Sequence, residues 1–191
     1  MPRIELTAPF SNEEDIKKLH AGDQVFISGT IYTARDAAHQ RMVEQIENGD
    51  QLPLDLLNQV VYYVGPTPAK PDAVIGSAGP TTSSRMDAFT PTLLNHGLKG
   101  MIGKGHRSEE VISSIKENNA VYLAAIGGSG ALLSQTIKKV ELVAYKDLGT
   151  EAIRKLVVQD FPCIVINDSK GRDWYKMSQD MFKKSKGGES Q

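Results

Sequence analysis

Apolar residues along this chain switch repeatedly between two periods, and the switches mark its elements. Residues 24–32 place Val25, Ile27 and Ile31 on the two-residue period of a strand. Over 35–46 the period lengthens: Ala38, Met42 and Ile46 recur every four residues with Val43 beside them, which predicts a helix that Asn48-Gly49-Asp50 ends. Upstream, Ser11-Asn12-Glu13-Glu14 has the spacing of a capping box and opens a short helix to Lys18 or Leu19. Residues 60–64 are β-branched and aromatic and stop at Gly65-Pro66, and 73–77 predicts a second short strand among proline-rich turns. Residues 87–95 predict a helix with Pro91 in its first turn and Gly97 as its C-cap.

The second half continues the alternation. Strands are predicted over 100–103, 120–126, 141–145 and 161–167, and helices from Ser108, over 131–138 and over 172–183. Val111, Ile112 and Ile115 share one face of the helix from Ser108. Residues 153–158 are ambiguous, since β-branched side chains sit beside good helix formers. The pattern is that of one α/β domain over 1–191, with helices packed on a mixed sheet and a disordered tail from 184.

Composition narrows the classes. With 40% hydrophobic and 24% charged residues, 191 positions suffice for a soluble domain with a sizeable core. A net charge of −1, from 22 basic and 23 acidic residues, lacks the basic excess of a nucleic-acid footprint. A run of about 18 apolar residues, as a spanning helix needs, is absent. Met1 to Glu14 carries no apolar core of a secretory signal, so a cytoplasmic location is expected and no membrane partner. Cys163 stands alone, so neither an internal disulfide nor a thiolate cage can form within the chain, and no metal ligands are assigned. Its apolar surroundings, Phe161 to Ile166, read as a buried strand with a packed thiol.

Four polar blocks fall at predicted strand-to-helix junctions, where α/β folds place ligands. They are residues 30–39 with Arg35 and His39, 79–87 with Thr81 and Arg85, 103–107 with Lys104, and Gly127-Gly128-Ser129-Gly130. Each of the first three sets a cation beside hydroxyls or glycines that leave the backbone accessible, a combination suited to a small anion. None has the spacing of a P-loop or of a dinucleotide fingerprint. His39 reads equally as a structural or a catalytic histidine, Asp87 as a helix cap, and Arg107 as a solvent-facing charge.

Taken in order, the blocks resemble a known family. Thr33-Ala34-Arg35-Asp36-Ala37-Ala38-His39, Tyr62-Tyr63-Val64-Gly65-Pro66, Ala78-Gly79-Pro80-Thr81-Thr82 and Arg85-Met86-Asp87 are similar to the β-subunit, or C-terminal region, of class I iron–sulfur fumarate hydratases. The likeness continues through Lys104-Gly105, Val143-Ala144-Tyr145, Leu148-Gly149-Thr150-Glu151 and Asp160-Phe161-Pro162. It implies a swivelling β/β/α domain and reversible hydration of fumarate to (S)-malate. It also implies a [4Fe–4S] cluster held by three cysteines of the other region, here a partner α-subunit.

By the same resemblance, Arg35, Arg85 and Lys104 match substrate-contacting cations, and Thr81 matches a hydroxyl assigned as catalytic base or, alternatively, as an orienting group. Ser83-Ser84 stands where fumarases often have Ala-Gly, and His106 where Asn is common. The alternative is the β-subunit of L-tartrate dehydratase, whose Thr-x-Arg-Asp block tends to carry cysteine, whereas Ala34 and Ala38 follow the fumarase pattern. A third reading, a non-catalytic dicarboxylate-binding or assembly subunit, sits poorly with an intact Arg35, Thr81, Arg85 and Lys104 set.

Overall fold

A computed structural model describes residues 3–125 and 130–187. The strands are β1 (Ile4–Ala8), β2 (Gln24–Thr33), β3 (Val60–Tyr62), β4 (Gly100–Gly103), β5 (Val121–Ala125), β6 (Ile137–Ala144) and β7 (Ile153–Asn167). The helices are α1 (Glu13–Lys17), α2 (Asp36–Asn48), α3 (Thr90–Asn95), α4 (Glu109–Glu117), α5 (Gly130–Thr136) and α6 (Trp174–Gly187). Two 3-10 turns, Ser83–Met86 and Lys146–Glu151, complete the set.

Together the strands form one mixed seven-stranded sheet in the order β1-β2-β3-β4-β5-β7-β6. Strands β1 to β5 are mutually parallel, so each connection must cross over, and helices or a helical loop supply the crossovers. β7 runs antiparallel to both β2 and β5, and β6 pairs antiparallel with β7. Because β7 pairs with β2 as well, the circuit β2-β3-β4-β5-β7 closes on itself, removing free edges from those strands.

Side chains alternate across this wall. Val25, Ile27, Ile31, Val60, Tyr62, Ile102, Leu123, Phe161, Cys163 and Val165 pack in one core. Their neighbours Val61, Tyr63, Met101, Tyr122 and Ile166 pack in a second, against Ala38 and Met42 of α2, Leu93 and Leu94 of α3, and Val111 and Ile115 of α4. The period-two pattern of residues 60–64 thus serves two cores at once. α4 is capped by the Ser108 hydroxyl, which accepts the Val111 amide at 3.2 Å. α2 ends on Gly49 in the left-handed region, as its sequence predicts.

Several expectations change. β1 has no counterpart in the sequence reading, yet its residues pair with Val25 to Gly29. α1 is capped by Asn12 rather than Ser11, since the Asn12 side chain accepts the Glu14 amide. Residues 73–77 form no strand: Val74 is exposed, and the segment folds back on Thr67, whose hydroxyl accepts the Ser77 amide at 2.8 Å. The helix expected over 87–95 starts only at Thr90, with Pro91 in its first turn, because 87–89 form a turn after the 3-10 turn at 83–86. Residues 153–158 are strand and join 161–167 in β7, because pairing with β2 and β6 satisfies the backbone on both edges. Gln159 and Asp160 resemble a turn because they are an exposed kink, with Asp160 at φ 53°, inside one strand. β6 begins at Ile137, four residues before its expected start, and α5 ends at Thr136.

Candidate functional site

The parallel strands end together, and their carboxyl ends carry the polar blocks. Arg35 follows β2, Gly65 and the long loop to Thr81 follow β3, and Lys104 follows β4. The fourth block follows β5; its Gly127-Gly128-Ser129 lies outside the described residues, but Gly130 abuts the 77–79 loop, its carbonyl accepting the Ala78 amide at 3.2 Å.

Arg35 occupies the N-cap position of α2 without capping it through its side chain. The guanidinium instead meets two carboxylates, with Nη2 3.7 Å from Asp36 and 3.6 Å from Glu151. Asp36 also lies 3.9 Å from Arg85 Nε, so one carboxylate stands between the two arginines. These separations are ionic contacts and exceed hydrogen-bond length. Among the described residues, Arg35 Nε and Asp36 Oδ2 are buried without hydrogen-bond partners. The backbone of Gly65 floors the arginine: a Cβ there would lie 2.7 Å from Arg35 Nη1, so any side chain would displace it.

Thr81 and Lys104 come together through a second set of contacts. The Thr81 amide donates to the Tyr63 carbonyl at 2.8 Å, continuing the β3 direction past the long loop. Thr82 pairs with Lys104 in a parallel bridge, and the Ser83 amide donates to the Lys104 carbonyl at 2.9 Å. The Ser83 hydroxyl accepts the Lys104 amide at 3.1 Å and lies 2.9 Å from the Tyr122 hydroxyl, which is also 2.9 Å from the Gly105 carbonyl. A carbonyl only accepts, so the Tyr122 proton goes to Gly105 and the Ser83 proton to Tyr122. Burial pushes the Tyr122 phenol well above its ordinary range, which keeps that chain of hydroxyls neutral. Gly103 makes room for it, since a Cβ there would meet Ser83 Oγ at 2.0 Å. The Lys104 and Arg85 side chains are exposed and Thr81 is half-buried, so this shelf is open to a ligand among the described residues.

Two expectations about the neighbours change. Arg107 is buried, not solvent-facing: Nε donates to Asp87 at 2.7 Å, Nη2 to Thr90 Oγ1 at 2.7 Å, and Nη1 reaches the Tyr63 hydroxyl at 3.3 Å. Its guanidinium also lies over the Tyr63 and Tyr122 rings at 5.4 and 4.9 Å. Asp87 therefore caps no helix of its own; its second oxygen accepts the Ser108 amide at 2.8 Å, tying the Arg85 segment to the start of α4.

His39 is fully buried, and its Nε2 is among the buried atoms of the described residues without a hydrogen-bond partner. Its Nδ1 lies 2.9 Å from the Arg35 carbonyl and its ring stands edge-on to Tyr63, 5.2 Å between centroids. Burial first, and then the charge of Arg107, lower its pKa to about 4 against the pull of the Arg35 carbonyl and Asp36, so near neutral pH the ring is uncharged and Nδ1 carries the proton. His106 packs against Tyr175, 4.5 Å between ring centroids.

The sequence reading did not single out Glu151 or Tyr122, and it noted Ser83 only as a departure from the family pattern. Glu151 was visible only as part of a motif; its contact with α2 spans 114 positions, and no local pattern encodes it. Among the described residues no group of three metal-ligating side chains is assembled. Cys163 sits in the wall between Val25 and Ala125, fully buried, its thiol pKa pushed up by burial. A lone protonated thiol inside a core does not fit an iron–sulfur cluster, so the chain's own residues offer no seat for one.

A closed, mixed α/β wall whose parallel strand ends gather arginines, a lysine and hydroxyls is the frame on which the candidate site is built. The family model for the fumarase C-terminus matches residues 1–178, and the chain belongs to that family. Among its relatives, the aerobic class I fumarate hydratase of Salmonella typhimurium is 36% identical over 180 residues, covering 93% of this chain and 31% of that protein. The anaerobic class I enzyme of Escherichia coli is 41% identical over 152 residues, 78% of this chain and 28% of its own length. A Methanocaldococcus jannaschii protein named after the beta subunit of L(+)-tartrate dehydratase is 38% identical over 179 residues, covering 91% of this chain and 92% of that one. The chain thus spans about a third of the fumarate hydratases it matches, and nearly the whole of a relative named as a subunit.

Proposed function

We propose that this chain is the β-subunit of a two-chain [4Fe–4S] fumarate hydratase, which interconverts fumarate and (S)-malate in the cytoplasm. The observation that carries the reading is the clustering of Arg35, Arg85, Thr81 and Lys104 at adjoining strand ends, in a chain of the fumarase C-terminus family. Malate and fumarate each carry two carboxylates, and a pair of arginines with a lysine beside them matches one. The same cations stabilise the charge that develops on that carboxylate as the C3 proton leaves, which is where binding accelerates the chemistry.

Thr81 takes that proton. An alkanol does so only as its alkoxide, and neighbouring cations favour that form. The C2 hydroxyl leaves with a proton supplied by the partner, giving fumarate and water. The class I cluster, for which this chain has no cysteine set, is assigned to a cysteine-bearing α-subunit that also completes the site. The exposure of Lys104 and Arg85 supports that arrangement, as does the length match to a relative named as a separate subunit.

That relative also favours a second reading, the β-subunit of an L(+)-tartrate dehydratase, which differs by one substrate hydroxyl. Co-expression with the cognate cysteine-bearing chain, anaerobic purification and turnover assays with malate, fumarate and tartrate separate the two. A complex with a full cluster and no turnover of any of the three ends both readings and leaves a non-catalytic binding subunit.

A further inference from the structure

We infer that Glu151 is a positioning residue for the substrate-binding Arg35, holding its guanidinium against the Gly65 backbone from a carboxylate that is itself fixed by the first turn of α2. The inference rests on the hydro-lyase reading of the site and adds to it the element that sets the arginine in place.

The two oxygens of Glu151 do different things. Oε2 accepts the Ala37 amide at 2.9 Å, one of the amides at the α2 N-terminus that lack intrahelical acceptors. Arg35, at the N-cap position, makes no such bond, so Glu151 supplies from 114 positions away the cap that the local sequence omits. Oε1 is then aimed at Arg35 Nη2, 3.6 Å away. Gly65 abuts the same guanidinium, with room for a hydrogen and none for a methyl group while Arg35 stays in place. Arg35 is thereby held by the Gly65 backbone and by the Glu151 and Asp36 carboxylates, and because both ionic contacts exceed hydrogen-bond length its Nη groups keep donors for a ligand.

Glu151 is fixed in turn. It closes the 3-10 turn Lys146–Glu151, and Arg154 clamps the carbonyls of that segment: Nη2 donates to Gly149 at 2.8 Å, and Nη1 to Thr150 at 3.3 Å and Ala152 at 3.2 Å. At the other end of the turn, Arg41 of α2 donates to Asp147 through Nη1 and Nη2, at 3.0 and 2.7 Å. Arg154 belongs to β7, so rigidity passes from the sheet through the turn to the carboxylate. A cation held this way meets its ligand already oriented, which lowers the ordering cost of binding.

The test uses the co-purified two-chain complex. Glu151→Gln keeps an oxygen for the Ala37 amide but removes the charge facing Arg35, whereas Glu151→Ala removes both. Glu151→Gln should raise KM for malate about tenfold and lower kcat as well, because Arg35 also holds the charge of the transition state, at an unchanged Tm; Glu151→Ala should add a loss of Tm. Asp147→Asn loosens the same turn through Arg41 alone and should leave KM at the wild-type value. An unchanged or lowered KM in Glu151→Gln overturns the assignment, because losing a negative charge beside a cation site would by itself favour a dianion. A crystal structure of Glu151→Gln with Arg35 still seated on Gly65 overturns it equally. If the wild-type complex turns over none of malate, fumarate and tartrate, the hydro-lyase reading fails instead, and the position of Arg35 in that crystal still decides the role of Glu151.

Discussion

His39 should make this fold acid-labile at a pH where most surface carboxylates are still charged. Its pKa in the folded chain is about 4 against an ordinary 6.5, because the ring is fully enclosed by α2, Tyr63, Phe89 and the Arg107 charge. The unfolded chain therefore takes up the proton first as pH falls. Stability contributed by the neutral ring is complete above about pH 6.5 and declines below it until the folded form also protonates near pH 4. A gap of about 2.5 units at ~1.4 kcal/mol each makes the full loss about 3 kcal/mol, which for a chain of this size is roughly 6–12 °C in Tm.

Thermal melts followed by circular dichroism at pH 7.5 and 4.5 should show most of this fall. The comparison that isolates it is His39→Asn, whose amide can still donate to the Arg35 carbonyl but cannot be protonated. That variant starts less stable, having lost the ring contacts with Tyr63, yet its pH slope should be flatter by about 2–3 kcal/mol. Equal slopes in the two proteins would refute the argument and place the acid sensitivity elsewhere.

The site makes its own predictions. Gly65→Ala would put a Cβ 2.7 Å from Arg35 Nη1, so KM for malate should rise about tenfold or more while Tm changes little, measured as kcat/KM in the complex. Thr81→Val keeps the shape and removes the hydroxyl. It should lower kcat about 100-fold or more with little change in KM, and a preserved kcat would reduce Thr81 to an orienting group. Arg107→Met leaves Asp87 without its cation in a buried setting and should cost about 3 kcal/mol by urea unfolding; a near-neutral result would show that the Arg107 pair is replaceable by apolar packing.

What could be read without coordinates divides along a physical line. Strands and helices with strong periodicity were legible, as residues 24–32, 36–46 and 109–117 show, because burial imposes the period on the sequence itself. β1 was not, since its three inward positions, Ile4, Leu6 and Ala8, are too few to stand out. The unity of β7 was hidden by the kink at Asp160, whose amide bonds to the Ser28 hydroxyl and keeps the strand on its partner. Arg35, Arg85 and Lys104 could be named as candidates because cations beside hydroxyls and glycines suit an anion, and the structure places all three after the parallel strands. Arg107 carries the same charge and was misread, because its burial depends on Asp87, Thr90 and two tyrosines gathered from separate elements. Glu151 shows the same limit from the other side, a carboxylate whose meaning lies entirely in a contact across the fold.

The closed wall has a practical corollary through Cys163. With strands hydrogen-bonded on both of its sides and its thiol kept protonated by burial, this sulfur is out of reach of alkylating reagents as long as β2, β5 and β7 stay joined. In the proposed two-chain complex, thiol labelling of the intact assembly should leave Cys163 unmodified. Once the barrel opens the same sulfur becomes reactive, so its modification rate is a built-in clock for how often the fold comes apart.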